Sequence, residues 1–301
     1  MTSTCRIGVD LGGTKTEVIA LDSSGAVLAR RRTVSPRGSY ENTLSSITEA
    51  VRWAEREAGM PGTVGVGTPG SMSLVTGTLK NSNSTWLNGR PLQQDLERCL
   101  GRPVRIANDA NCFALSEAVD GAAKGAAVVF GAIVGTGTGA GIVVHGRVLL
   151  GANGIAGEWG HNPLPWPLPG EVPGRACYCG RHGCIETFLS GSGMAADHCA
   201  ATGQALDARA ISARAEAGDP ACAATLERYT DRMARALAHV INILDPDVIV
   251  LGGGVSGVAS LPGAVMARWA PHVFSDHVAT RLEVAAHGDA SGVRGAAWLW
   301  D

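Results

Sequence analysis

RIGVDLGGTKTEVIAL, residues 6–21, reads as a strand, a glycine turn and a second strand. The apolar run from Arg6 ends at Asp10, and Glu17 to Leu21 resume an extended, β-favouring pattern. Asp22-Ser23-Ser24-Gly25 is turn chemistry, and residues 26–33 give a third strand. The chain therefore opens as a β-meander whose first turn is LGGTK. Leu44, Ile47, Val51 and Ala54 then recur at helical spacing, which predicts a helix over 40–58.

The same grammar returns later. A strand over 128–134 leads into GTGTGAG at 135–141, then strands over 142–144 and 147–150. Two strand–glycine turn–strand units half a chain apart point to two related lobes with a ligand cleft between them. Shorter strands are expected at 64–67 and 104–106. A long helix is expected over 220–244, a strand over 247–251 that ends in Gly252-Gly253-Gly254, and a last helix ending at Trp300.

Composition narrows the classes. Hydrophobic residues make up 45% of 301, enough for a substantial core, and a net charge of −2 gives no basic footprint for nucleic acid or an anionic membrane. The longest apolar run, residues 126–134, contains Gly131 and falls far short of the ~20 residues of a membrane span. No export leader is visible, so the eight cysteines read as metal ligands rather than disulfides, and a cytoplasmic enzyme is expected. Glycine is over-represented, at 41 residues, and clusters of it mark the three turns, where backbone must approach a ligand closely.

The first turn is not a Walker loop. Thr14-Lys15 reverses the required order, and a strand follows where a Walker loop opens a helix. Gly12, Gly13, Thr14 and Lys15 can still wrap a phosphate with N–H groups, and Asp10 stands where magnesium would be held through water. GTGTGAG offers Thr136, Gly137 and Thr138 for a second phosphate contact, and Gly252, Gly253 and Gly254 leave room for adenine and ribose. ATP is the nucleotide this arrangement suggests. DLGGTKTEV, GTGTGAG and VIVLGGG together resemble the ATP-binding signatures of the sugar kinase, hexokinase and actin superfamily. That resemblance implies an α/β, two-lobed, actin-like ATPase fold of the ribonuclease H-like kind.

In ANDAN, residues 107–111, Asp109 has two readings: an N-cap for the helix that follows, or a carboxylate at a strand end facing the cleft. Phosphoryl transfer to an alcohol needs the second, to orient the hydroxyl and take its proton late. Asp109 is the expected general base.

CYCGRHGC supplies Cys177, Cys179 and Cys184. With His161 upstream they make a closed Cys3His set, the type that holds structural zinc. His182, inside the loop, competes for the fourth position; His161 is preferred because it shares a segment with Glu158. The other five cysteines, Cys5, Cys99, Cys112, Cys199 and Cys222, are expected to be buried apolar residues.

GEWGHNP followed by CYCGRHGCIET is similar to the zinc-binding signature of the ROK family of bacterial sugar kinases and related repressors. The resemblance runs from Arg6 to Trp300. It implies that Asn83, Asn108, Asp109, Glu158, His161 and Glu186 bind sugar hydroxyls, with His161 also on the metal. It further implies a homodimer, with lobes of residues 1–117 plus 287–301 and of 118–286, the second carrying the zinc-binding insertion. STWLNG, GEWGHNPLPW and INILDPDVIVLGGG point within the family to fructokinases and mannokinases, and hence to transfer onto the 6-hydroxyl of fructose. N-acetylglucosamine kinase and glucokinase are the alternatives, and the Trp86 context is expected to set the former apart. Two other classes fit less well. A sugar-responsive repressor needs a helix-turn-helix domain, and only five residues precede Arg6; an actin-like ATPase has no use for Glu158, His161 and Glu186.

Overall fold

A computed structural model of the chain describes residues 4–300. The opening meander is there: β1 (Cys5–Leu11) pairs antiparallel with β2 (Lys15–Leu21), and β2 with β3 (Val27–Val34). Ser39 caps α1 (Tyr40–Ala58), its hydroxyl accepting from the Asn42 N–H, and Gly59 ends the helix at φ 69°. These are the bounds that the helical spacing predicts. β4 (Gly62–Thr68) then lies parallel to β1, with a two-residue hairpin of β5 (Ser71–Met72) and β6 (Leu79–Lys80) beyond it. α2 (Leu92–Leu100) leads to β7 (Val104–Asn108), parallel to β4, and α3 (Asp109–Val119) starts where β7 stops.

The sheet order is β3-β2-β1-β4-β7, which makes β1 central and explains its nearly all-buried composition. α9 (Ser291–Ala297), from the far end of the chain, packs on this sheet at backbone distance. A Cβ at Gly8 of β1 would overlap the carbonyl oxygen of Val293, and one at Gly295 would overlap that of Cys112 in α3. The missing side chains let β1, α3 and α9 close on one another, and so fix the end of β1 near the start of α3.

The second five-stranded sheet has the order β10-β9-β8-β11-β12. Its members are β8 (Val128–Val134), β9 (Thr138–Val144), β10 (Arg147–Val148), β11 (Val248–Gly252) and β12 (Arg281–Val284). Again the early strands are antiparallel neighbours, and the later ones, β11 on β8 and β12 on β11, are parallel. The intervening helices are α4 (Glu186–Leu189), α5 (Gly191–Thr202), α6 (Ala208–Glu216) and α7 (Pro220–Leu244), and α8 (Leu261–Trp269) joins β11 to β12.

By packing, the chain divides into two compact units. One comprises Met1–Gly125, Gly141–Ala156 and Asp289–Asp301; the other comprises Ala126–Ala140 and Gly157–Gly288.

Three local expectations are corrected. β9 begins at Thr138, so the second glycine turn is three residues, because Thr138 already has a fixed backbone partner described below. The last α-helix stops at Ala297, and Trp298–Trp300 form a tighter single turn. Of the five other cysteines, Cys5, Cys112 and Cys222 are buried, but Cys99 and Cys199 sit on the outer faces of α2 and α5 and are exposed. No described helix is long and apolar enough to cross a membrane.

Candidate functional site

The strand order brings acidic groups together at the end of β1. Burial is the main influence raising the Asp10 carboxyl, to about 7, with the charges of Asp109 and Glu17 adding to it and Lys15 and Arg32 only partly opposing. Glu17, buried on β2, is itself held by Arg30 Nε at 2.5 Å and Arg32 Nη2 at 2.6 Å. Asp10 thus lies among more negative than positive charge, which a divalent cation with oxygen ligands would offset.

Asp109 is not the group that starts its helix. Asn108 is the N-cap of α3, its Oδ1 accepting the Ala110 N–H at 2.9 Å, while its Nδ2 donates to the Gly70 carbonyl at 3.1 Å. Asp109 Oδ1 shares that same N–H at 2.8 Å, and the residue is exposed at the first helical position. Asn108 is thus the residue that caps α3, with Asp109 sharing the N–H from the first helical position.

The turn at 135–137 is wired to the segments around it. The Thr138 N–H donates to Glu186 Oε2 at 3.0 Å. Thr136 is exposed; Thr138 is buried, and its hydroxyl has no hydrogen-bond partner among the described residues. Gly160 lies so close to the Thr138 carbonyl that a Cβ there would overlap it, so the turn carrying His161 rests directly on β9. Gly253, at φ 87°, meets the backbone of Val134 and puts the third glycine turn beside the second.

His161, Cys177, Cys179 and Cys184 converge, with all four ligand atoms within 4.8 Å of one another. His161 Nδ1 is 3.5 Å from the Cys177 sulfur, and the sulfurs of Cys179 and Cys184 are 3.6 Å apart. All eight cysteines are unbridged. His182 is not in the group. Three thiols and one imidazole at tetrahedral reach suit zinc, with no protein position left open.

Around this centre the structure adds a residue that sequence reading passed over. Tyr178, 83% exposed, sits between two of the cysteines, and its hydroxyl is 2.9 Å from His161 Nε2, the rings meeting edge to face at 5.0 Å. Although the ring is largely exposed, partial desolvation of the hydroxyl raises its pKa to about 12, and the charges of Glu186, Cys177 and Glu158 add to the effect. His161 thus meets the Cys177 sulfur through Nδ1 and the Tyr178 hydroxyl through Nε2. The signal was in the motif itself: CYCG puts an aromatic hydroxyl between two ligands.

Residues 6–301 match the ROK family. The chain belongs to the ROK family. An N-acetyl-D-glucosamine kinase of Escherichia coli O127:H6 is 41% identical over 296 residues, spanning 97% of this chain and 98% of that one. Among solved structures, the ROK hexokinase of Thermus thermophilus is 34% identical with a TM-score of 0.87, covering 98% of this chain and 97% of that one. A ROK glucokinase of Streptomyces griseus, solved with glucose and AMPPNP, is 27% identical with a TM-score of 0.78 over 97% and 98%. The α/β fold with two sheets is the actin-like ATPase fold that the glycine turns implied.

Two positions singled out from the sequence, Asn83 and Trp86, lie between β6 and α2 of this ROK chain. Asn83 is exposed in the loop after β6. Trp86 donates its indole N–H to Thr43 Oγ1 of α1 at 3.2 Å and packs against the core, so it is placed by structure without reference to any sugar. A tryptophan there is a weak guide to fructose.

Proposed function

We propose that this ROK chain transfers the γ-phosphoryl group of ATP to the 6-hydroxyl of a hexose, and that the acceptor is N-acetylglucosamine, with glucose second. The observation that carries the acceptor is the 41% identity, nearly end to end, with an N-acetyl-D-glucosamine kinase; it favours that alternative over the fructose reading of the sequence. The kinase chemistry is supported by the Asp10–Asp109 pair and by the two glycine turns.

In this reading Asp109 orients the acceptor hydroxyl and accepts its proton, while Asp10 holds magnesium, which neutralises developing phosphate charge when bound. Gly12, Gly13, Thr14, Lys15, Thr136 and Gly137 contact the phosphates, and Gly252, Gly253 and Gly254 border the base. Thr138 holds Glu186 through its N–H, and its hydroxyl, without a partner among the described residues, completes the phosphate-binding set. Asn83, Asn108, Glu158, His161 and Glu186 are the sugar-binding set. A carboxylate or amide that bound sugar desolvates against each hydroxyl would reject an analogue that lacks it. His161, Cys177, Cys179 and Cys184 hold a structural zinc. Assembly as a homodimer and action in the cytoplasm complete the proposal.

The test is a coupled ADP-release assay with N-acetylglucosamine, glucose, mannose and fructose compared by kcat/KM. Preference for N-acetylglucosamine is expected. Preference for fructose reverses the acceptor assignment, and turnover of none of the four rejects the kinase reading.

A further inference from the structure

Each phosphate-binding turn is braced from outside by two hydroxyls in series. In the first, Ser35 Oγ donates to the Gly12 carbonyl at 2.7 Å, so the 2.8 Å contact with Thr16 Oγ1 is made by the threonine proton. The Ser35 N–H donates to the Thr14 carbonyl at 3.1 Å, and Arg37 Nε to that of Gly13 at 3.3 Å. Three successive carbonyls of the turn are thus held by one short segment beyond β3. In the second turn, Ser192 Oγ donates to the Thr136 carbonyl at 2.9 Å and receives the Ser190 hydroxyl at 2.9 Å. The Gly191 N–H takes the Gly135 carbonyl at 2.7 Å, and the Gly135 N–H takes that of Gly137 at 3.0 Å.

A trans peptide is planar, and its C=O and the following N–H point opposite ways. Tying the carbonyls of Gly12 and Gly13 turns outward the N–H groups of Gly13 and Thr14. Tying those of Gly135 and Thr136 does the same for Thr136 and Gly137. Among the described residues none of these four N–H groups has an acceptor. Successive N–H groups held on one side of a turn form an anion-binding nest.

We infer that Ser35 and Ser192 are positioning residues that fix the peptide planes of the two turns, so that these N–H groups meet the phosphate oxygens of ATP. The inference rests on the kinase reading. Neither serine lies in the glycine motifs; they are related only by what their hydroxyls hold.

The experiment uses Ser35→Ala, Ser192→Ala and Ser192→Thr in the full chain. ADP-magnesium affinity is measured by calorimetry, KM for ATP and for sugar by kinetics, and Tm by thermal unfolding. Losing one such hydrogen bond is expected to weaken ADP binding about three- to tenfold in each alanine variant. KM for ATP should rise alongside, KM for the sugar should stay put, and Ser192→Thr should restore binding. Should Ser35→Ala fail to fold, the exposed Ser192 pair decides the matter alone. Alanine variants that bind ADP like the wild type overturn the inference, as does an equal loss of affinity for both substrates without rescue by threonine. Wild-type protein that binds no nucleotide rejects the kinase reading and this inference together. Wild-type protein that binds ADP yet phosphorylates no hexose rejects only the acceptor assignment, and calorimetry still decides the role of the serines.

Discussion

At the residue scale the proposed chemistry rests on a pair of aspartates with different tasks. Asp109→Ala removes the proposed base and should lower kcat by about a hundredfold or more, with ADP affinity near wild type in calorimetry. Asp10 offers a thermodynamic test. Its folded pKa, about 7, lies above the unfolded value, so between about pH 4 and 7 the folded chain holds a proton that the unfolded chain has released. In the ligand-free protein this group's contribution to stability is present at low pH and declines as pH rises towards 7. Asp10→Asn cannot titrate, so its Tm should exceed the wild-type Tm by a margin that widens from pH 5 to pH 8. A margin independent of pH would show that Asp10 is ionised throughout. Both aspartates were legible in the sequence, because each ends a recognisable strand at a turn. Ser35 and Tyr178 were not singled out: a serine after a strand and a tyrosine in a cysteine loop acquire meaning only once their hydroxyls have neighbours.

At the scale of elements, α7 shows where pattern reading stops. Its bounds follow from the sequence, since Asp219 caps it and Pro220 occupies the first turn. Its arginines, however, would be assigned to solvent, and Arg232 and Arg235 are instead buried. Arg235 donates to the carbonyls of Pro165 and Trp166, and both arginines bond Glu171, which together pin the proline-rich segment of residues 163–173 onto the helix. Burial alone would raise the Glu171 carboxyl, but the bonds from Arg232 and the Leu168 N–H, with the Arg235 charge, hold it below the usual range. That stabilisation is present at neutral pH and is lost as pH falls below the ordinary carboxylate range. Glu171→Gln leaves two buried guanidinium groups undercompensated and should cost about 3–5 kcal/mol in denaturant unfolding at pH 7, less in acid. A similar cost at both pH values would point to packing rather than charge. No pattern of apolar residues predicts such a network, because its members come from segments some sixty residues apart, as Glu171 and Arg232 do.

At the scale of the whole molecule, the two sheets were visible as a repeated strand–turn–strand unit. The assignment of residues 141–156 to the first compact unit was not, since tertiary packing rather than periodicity decides it. The proposed zinc site belongs to this scale as well, because an ion held there would close a loop from His161 to Cys184. Cys184→Ser should drop metal content from about one zinc per chain towards none and lower Tm, as in other closed thiolate sites. Unchanged metal by elemental analysis would mean that the four side chains converge for another reason.

The contact of Gly160 with the Thr138 carbonyl gives that centre a wider reach. The histidine ligand is the next residue, so whatever fixes its ring also fixes the turn pressed on β9, and through it the strand that carries the second nest. On the proposed reading, a newly synthesised chain without zinc would have a slack nucleotide site as well as a slack sugar site. It would stay idle instead of hydrolysing ATP to no purpose, and its output in the cell would then follow metal supply as closely as the supply of sugar.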